Sequence, residues 1–187
     1  MRTIETSLLT LEPQVAAHAE EMFAVLSDPA IYAFENAPPP SLDWLRTRFA
    51  RLESRHSADG AEQWLNWVIR IAAGDLIGYV QATIHADRSA GIAYELSSRH
   101  WGMGLGANAT RAMLGELAGT YNVREFAAVA KAANLRSIRM LERLGFSPAT
   151  PQHRLRHEIE ADEVLLWRSA QEPDFAAADA TSFGSAG

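Results

Sequence analysis

The sequence predicts an α+β fold in which helices cover both faces of one mixed, mostly antiparallel sheet of about six or seven strands. Two amphipathic helical patterns come first along the chain. Three short apolar segments joined by tight turns follow, and such short connections favour antiparallel neighbours. A glycine-rich loop and a long helical pattern, Ala107 to Leu117, then separate the third segment from the next strand. That connection is a crossover, so the last pair is predicted to be parallel.

The N-terminal part of the chain supplies one strand and two helices. Residues 6–11 form a short segment of apolar and β-branched side chains, and we predict a strand there. Pro13 is predicted to lie in the first turn of a helix that continues to Leu26. Ser41 is a suitable N-cap for the second helix, whose apolar residues recur at helical spacing. The other face of that helix carries arginines that are predicted to be solvated, namely Arg46, Arg48, Arg51 and Arg55.

The central segments have the pattern of paired strands. Residues 65–71 alternate between apolar and polar side chains, which is typical of a half-buried strand. Residues 76–85 return from a turn at Gly74, and residues 91–96 form the next strand. These three segments are predicted to form one antiparallel run.

The C-terminal third completes the predicted domain, which spans residues 1–169. Its predicted elements are a strand at residues 125–130, a helix at 135–144 capped by Gly145, and two strands that start at Phe146 and Glu163. From residue 170 onward the chain is rich in Ala, Asp, Ser and Gly and has little to bury, so we expect residues 170–187 to be a disordered tail.

Composition excludes several classes of function. The formal net charge of −6 over 187 residues argues against nucleic acid or an anionic membrane as the main partner. The chain has no cysteine, so disulfides, thiolate metal sites and a cysteine nucleophile are excluded, and no metal site is predicted. Neither a signal peptide nor a run long enough to span a membrane is visible, and we expect a cytoplasmic protein.

The loop before the long helix is the most informative stretch. Gly102, Gly104 and Gly106 alternate there, which permits a tight turn and leaves backbone N–H groups uncovered. At the start of a helix such groups have no partner, so together they can bind an anion. A P-loop would need a lysine, which this loop lacks. A dinucleotide-binding fingerprint would need a different glycine spacing. Spacing alone leaves a phosphate site and a purely structural turn as alternatives.

Two segments together resemble the GNAT N-acetyltransferases. Tyr94-Glu95-Leu96 followed by Trp101-Gly102-Met103-Gly104-Leu105-Gly106 is similar to the acetyl-CoA loop of that family. Asn134-Leu135-Arg136-Ser137 through Leu144-Gly145-Phe146 is similar to its Asn-x-x-Ser…Leu-Gly-Phe segment. The Trp-Gly-x-Gly loop looks like the RimJ/RimL branch, which acetylates protein N-termini, and the order of elements matches from about residue 5 to 169.

The resemblance implies acetyl-CoA as co-substrate and direct transfer of its acetyl group to an amine. It places the pyrophosphate on the N–H groups of Gly102 to Ala107 and the pantetheine arm along the strand edge at Leu96 and Ser97. The cofactor-binding residues that it implies are Leu96, Ser97, Trp101, Gly102, Met103, Gly104, Leu105, Gly106, Ala107, Asn134 and Ser137. The stripe Arg136, Arg139 and Arg143 would meet the nucleotide phosphate or remain solvated.

Two catalytic residues are predicted, Glu95 and Ser137. Many GNAT enzymes carry a tyrosine acid where this chain has Leu141, and the resemblance gives protonation of the thiolate to Ser137. That serine could instead bond a helical carbonyl. Glu95 is the first candidate for general base, and a water relay is the other route. The reserve residues are His85, His100, His153 and Glu163.

The acceptor is left open between a protein N-terminus and a small amine such as an antibiotic, a polyamine or an amino acid. We expect its cleft at the first two helices, around Phe34, Glu35 and the loop at residues 38–40, with Trp64 a better candidate for its wall than Trp67. The alternative function is an inactive acetyl-CoA-binding sensor or scaffold. The oligomeric state also stays open, with a homodimer among the options.

Overall fold

A computed structural model describes residues 1–34, 37–154, 157 and 159–170 of the chain. Its strands are β1 (Ile4–Glu5), β2 (Leu9–Pro13), β3 (Gln63–Ile71), β4 (Leu76–Ile84), β5 (Ser89–Leu96), β6 (Glu125–Lys131), β7 (Ser147–Pro148) and β8 (Glu163–Ser169). Its α-helices are α1 (Ala19–Leu26), α2 (Leu42–Leu52), α3 (Leu105–Tyr121), α4 (Leu135–Arg143) and α5 (Pro151–Arg154). The tail expected to be disordered lies, from residue 171 onward, outside the described residues.

All eight strands belong to one sheet in the order β1-β2-β3-β4-β5-β6-β8-β7. The run from β1 to β5 is antiparallel, β5 and β6 are parallel, and β6, β8 and β7 are again antiparallel. The predicted α+β class, with its mostly antiparallel sheet and one parallel pair after the crossover, is therefore confirmed.

The first predicted strand begins at Leu9 and not at Thr6, and an additional strand, β1, precedes it and raises the strand count to eight. Thr6 lies between the two strands, where its backbone N–H and its hydroxyl both donate to the carbonyl of Leu9 and close a turn between β1 and β2. The helical position predicted for Pro13 is wrong, since Pro13 ends β2 opposite Trp67. The backbone N–H of its neighbour Gln14 donates to β3. Because successive backbone N–H groups of a strand point in opposite directions, the nitrogen of Pro13 points away from β3, and a strand tolerates proline at such a position.

Helices cover both faces of the sheet. On one face α3 and α4 pack over a core that includes Trp67, Met113 and Phe126. On the other face α1 and α2 pack against Val68 and Leu76. The prediction that β3 is half-buried is therefore wrong. The face of β3 that was expected to meet solvent carries Asn66 and Val68, and both are buried beneath helices. None of the helices in the described ranges is long and apolar enough to cross a membrane.

Side-chain caps fix the helices that approach the centre of the sheet. Ser41 accepts a hydrogen bond from the N–H of Trp44 at the start of α2, and Asn134 accepts one from the N–H of Ser137 at the start of α4. Gly145 follows α4 with a φ of +83°, as predicted for a C-terminal glycine.

The parallel strands β5 and β6 stay paired only at their beginnings. Their register runs from Ser89 opposite Glu125 to Gly91 opposite Ala127 and ends there. β5 continues to Leu96 and β6 to Lys131 without further pairing between them, so the sheet splits open along the second half of β5.

Candidate active site

A cavity of about 920 Å³ lies where β5 and β6 separate. The loop after β5, the start of α3 and one face of α4 line one half of it, which we call the loop half. The other half, which we call the helix half, is lined by residues of α1, α2 and the segment between them, together with Tyr79 and Glu95. The cavity therefore connects the two faces of the sheet through the split.

The glycine loop carries a set of unpartnered backbone N–H groups. Gly102 and Gly104 have φ of +76° and +78°, a conformation that side chains rarely adopt. The first helical bond of α3 runs from the N–H of Asn108 to the carbonyl of Gly104. Within the described residues, none of the six N–H groups from Gly102 to Ala107 donates to the protein. This cradle fits a pyrophosphate, which needs converging donors at the positive end of a helix.

The third glycine has a different position from the one predicted. α3 begins at Leu105 and not at Ala107, so Gly106 lies within its first turn. A Cβ atom on Gly106 would lie 3.4 Å from the Sδ atom of Met140 and 3.5 Å from Cδ1 of Leu96. Gly106 thus permits α3 to pack closely on α4 and β5, while Gly102 and Gly104 shape the loop.

Trp101 joins the loop to the end of β5. Its indole N–H donates to the carbonyl of Leu96 at 2.9 Å, and the guanidinium carbon of Arg136 lies 3.4 Å from the centroid of its ring. Arg136 and Arg143 line the loop half together with Arg111, which the sequence did not suggest. The side chains of Met103 and Leu105 do not line the cavity, so these two residues could contribute only their backbone.

The open edge of β5 is formed by alternate residues. Ser97 donates its N–H to the carbonyl of Ile77 at 2.8 Å, and this pairing places the odd-numbered backbone groups of β5 against β4. The backbone groups of Tyr94 and the N–H of Leu96 therefore face the split. For Ser97 the expectation needs correction, because its N–H is already engaged and is not available to an added strand.

Ser137 and Tyr94 meet in the loop half. The phenol oxygen of Tyr94 lies 2.7 Å from the hydroxyl oxygen of Ser137. Burial raises the pKa of Tyr94 to about 12, although the hydrogen bond with Ser137 acts in the opposite direction. Tyr94 was part of the quoted motif but was not predicted to act. The available signal was its position two residues before Leu96, on the same face of the strand.

Glu95 points to the opposite face and enters the helix half. It stands opposite Tyr79 in the β4–β5 ladder, and its negative charge adds to burial in raising the pKa of the Tyr79 phenol. The pKa of Tyr32 is raised by the same two causes, burial first, and its hydroxyl donates to the carbonyl of Leu26 at 2.8 Å. The structure therefore places Glu95 beside two protonated phenols, across the strand from Ser137.

Among the reserve residues only His100 lines the cavity, and its Nδ1 atom is buried without a partner in the described structure. The others are engaged elsewhere: His85 lies 3.3 Å from Glu62, the ring of His153 stacks on Trp167, and Glu163 lies 3.1 Å from Lys131. They do not approach the cavity.

The cavity is lined by some of the residues expected around the acceptor. Phe34 and Pro39 line the helix half, whereas Glu35 lies outside the described residues. Trp64 does not line the cavity and donates its indole N–H to Glu62, so its choice as the cleft wall is wrong. Trp67 is fully buried in the core, as expected. Trp44 on α2 supplies the tryptophan of the wall, and Arg48 joins it although the sequence indicated a solvated residue.

Asp28 holds the helix half against the end of β5. Its carboxylate accepts hydrogen bonds from the N–H of Ala30 at 3.0 Å and of Ser98 at 2.9 Å. The hydrogen bonds with Ser98 lower the pKa of Asp28. The segment after α1 is thereby tied to the loop that follows Glu95. No sequence motif pointed to this contact, which joins residues 70 positions apart.

A donor cradle at a helix start, joined through a split sheet to a carboxylate, suits an enzyme that moves a group from a phosphate-bearing carrier. The model of the acetyltransferase (GNAT) domain matches residues 9–147. The chain belongs to the GNAT acetyltransferase family, and it is an acyltransferase of the kind that uses acetyl-CoA as donor.

Solved structures share the fold at low identity. Ribosomal-protein-S5-alanine acetyltransferase from Vibrio fischeri is 16% identical, with a TM-score of 0.74 over 91% of this chain and 97% of that one. RimL, a ribosomal L7/L12 alpha-N-protein acetyltransferase solved with coenzyme A, is 16% identical, with a TM-score of 0.74 over 89% of this chain and 97% of that one. Spermidine N-acetyltransferase from Vibrio cholerae, solved with CoA and spermine, is 19% identical, with a TM-score of 0.72 over 88% and 97%. No curated protein matches the sequence.

Proposed function

We propose that this chain transfers the acetyl group of acetyl-CoA directly to a primary amine that enters from the helix half of the cavity. The observation that carries the proposal is the continuity of the cavity through the split between β5 and β6. A donor bound in the loop half and an acceptor bound in the helix half would meet at Tyr94 and Glu95, with no need for a covalent enzyme intermediate.

The loop half would hold the donor. The free N–H groups from Gly102 to Ala107 suit its pyrophosphate, and the guanidinium groups of Arg136 and Arg143 suit its remaining phosphate. The pantetheine arm would pair with the backbone of Tyr94 and Leu96 where β6 has moved away. An N–H group at this edge would bind the acetyl oxygen as negative charge develops on it.

Glu95 would prepare the acceptor. In the reaction the amine nitrogen bonds to the acetyl carbon, the carbon–sulfur bond breaks, and the nitrogen loses a proton. The Glu95 carboxylate would take that proton, directly or through a water molecule, and its position in the helix half next to the split supports this role.

Ser137 would donate a hydrogen bond to the departing thiolate, with Tyr94 holding its hydroxyl in place, and the thiolate would take its proton from solvent while Glu95 releases the proton it gained. The position of the usual tyrosine acid is occupied by Leu141, which is buried. The sensor alternative depended on that missing group and on the uncertain base. The hydroxyl groups of Tyr94 and Ser137 beside the split support catalysis over the sensor alternative.

The acceptor is a protein N-terminus or a small amine, and a thiol-release assay decides between them. Purified protein is incubated with acetyl-CoA and separate panels of N-terminal peptides and small amines, and product mass spectrometry identifies the acetylated compound. We expect amine-dependent release of CoA that is lost in Glu95→Gln and kept in Glu142→Gln, an exposed helical control. Binding of acetyl-CoA without turnover on either panel would favour the sensor alternative.

A further inference from the structure

The helix half of the cavity contains two charged side chains among its described lining residues, Glu95 and Arg48. Arg48 lies on α2, and Glu95 lies on β5. The rest of this half is aromatic, aliphatic or neutral and polar, with Phe34, Trp44 and Tyr32 among its larger residues. An acceptor in this half would therefore meet one negative and one positive group on a largely apolar wall.

Arg48 is the arginine of α2 that lines the cavity, and neither it nor Arg51 has a polar side-chain partner among the described residues. Arg46 lies 3.3 Å from Asp43 and 3.6 Å from Glu20, so its charge is already compensated. Arg55, just after the helix, donates to the carbonyl of Gln14. The guanidinium of Arg48 makes no hydrogen bond or ion pair in the described part of the chain, and it lies 5.5 Å from the ring centroid of Trp44. Its planar set of donors is free to bind a carboxylate.

The two charges lie close to the same phenol. The negative charge of Glu95 raises the pKa of Tyr79, while the positive charge of Arg48 lowers it, and burial of the phenol is the largest effect. Both groups thus act on one side chain that lines the helix half. One small molecule, or the first residues of a peptide, could contact both charges at once.

We propose that the acceptor carries a carboxylate in addition to its primary amine, and that Arg48 binds this carboxylate while the amine faces Glu95. The inference deepens the proposed function and depends on it. A polyamine fits this half poorly, because its second ammonium group would meet the guanidinium of Arg48. The apolar wall between the charges suits an acceptor with an aromatic or aliphatic body.

Either of two sources can supply this chemistry: a free amino acid, or a peptide whose second residue is acidic. A series of rigid amines first isolates the effect of the acceptor's second charged group. Its members share the ring and the reactive aminomethyl group, and they differ only in the opposite substituent: para-(aminomethyl)benzoate, para-(aminomethyl)benzamide and para-xylylenediamine. Phenylalanine and phenylalaninamide then test the free amino acid, and peptides with Glu or Gln as second residue test the N-terminus.

The experiment measures kcat/KM for each acceptor with the unmodified protein and with Arg48→Gln. Arg46→Gln is the matched control, because it removes an arginine two residues away that does not line the cavity. We expect the acid to exceed its amide by about 10-fold or more in at least one source, the size of a charge-assisted hydrogen bond. Arg48→Gln should abolish this preference, mainly through KM, and Arg46→Gln should keep it.

Each other outcome counts against the inference. Equal rates for acids and amides, a preference for the diamine, or an acid preference that survives in Arg48→Gln would overturn it while leaving acetyl transfer intact. Failure of every acceptor in all three series would contradict the proposed function itself, and with it this inference.

Discussion

The phenol oxygen of Tyr94 lies 2.7 Å from the hydroxyl oxygen of Ser137, and this hydrogen bond links β5 to α4 beside the split in the sheet. With its pKa raised to about 12, the phenol keeps its proton at neutral pH and can donate to the serine. Asn134 holds the same serine through its backbone N–H. Two contacts therefore fix Ser137, and when the phenol is the donor the serine keeps its own proton for the cavity.

Removing either hydroxyl should slow the release of the thiolate. We expect Ser137→Ala and Tyr94→Phe each to lower kcat by about 10-fold, as for the loss of one catalytic hydrogen bond. Because Tyr94 acts through Ser137, the double variant should be little slower than Ser137→Ala alone. Steady-state kinetics of the unmodified protein, the two single variants and the double variant provide this double-mutant cycle.

The controls for this cycle are the affinity for acetyl-CoA and the variant Tyr121→Phe. Calorimetry should give nearly unchanged affinity for both active-site variants. Tyr121→Phe, at the far end of α3, should leave kcat unchanged. Independent, multiplicative losses in the double variant would show that Tyr94 does not act through the serine.

Glu95→Gln should remove the base without removing the acceptor site. General base catalysis typically contributes about 100- to 10,000-fold, so we expect a loss of kcat in that range. The rate should then rise with pH as more of the amine is already deprotonated, and the profile of kcat/KM against pH measures this. A variant with native kcat at neutral pH would mean that another group or water alone takes the proton.

Gly104→Val should abolish binding of acetyl-CoA. Gly104 has a φ of +78° and its N–H belongs to the donor cradle, so a branched side chain strains the loop and covers the phosphate site. Gly60→Val is the matched control, because Gly60 has a φ of +73°, equally open surroundings and no place in the cavity. Calorimetry should show lost binding only for Gly104→Val, and lost binding in both variants would indicate general destabilisation.

Asp28→Ala should weaken both folding and acceptor binding. Loss of the cap is expected to lower the free energy of unfolding by about 1 kcal/mol and to raise KM for the amine, because the segment after α1 is released from Ser98. The pKa of Asp28 is lowered in the folded state. Its contribution is therefore complete above about pH 4, the ordinary range of the carboxyl, and is lost as the pH falls through the lowered pKa.

Denaturant titrations at several pH values measure that contribution. The difference in stability between the native protein and Asp28→Ala should be constant near neutral pH and shrink in acid. Asp59→Ala serves as control, since Asp59 accepts similar hydrogen bonds in an exposed turn away from the cavity. An unchanged KM in Asp28→Ala would show that this contact does not shape the acceptor site.

The sequence predicted those features that depend on local pattern. Ser41 and Asn134 cap their helices because the capping side chain lies within a few residues of the N–H that it binds. The parallel pair of β5 and β6 followed from the length of the connection alone. The free N–H groups from Gly102 to Ala107 followed from glycines at a helix start, although the helix begins two residues earlier than expected.

Contacts between distant segments could not be predicted in the same way. Asp28 binds Ser98, and Tyr94 binds Ser137, across many residues that no local pattern connects. Arg48 was predicted to be solvated because the helical period of α2 places it on the face that points away from the core. The period does not show that a cavity borders this polar face. The burial of both faces of β3 likewise depends on where α1 and α2 pack.

The most direct test of the account follows both products of one reaction. After incubation with acetyl-CoA alone, intact-mass measurement should show the protein without an added acetyl group, because no covalent intermediate is formed. Addition of the preferred amine should yield free CoA and acetylated amine in equal amounts. An acetylated protein that passes its group to the amine, or release of CoA without acetylated amine, would contradict direct transfer across the split in the sheet.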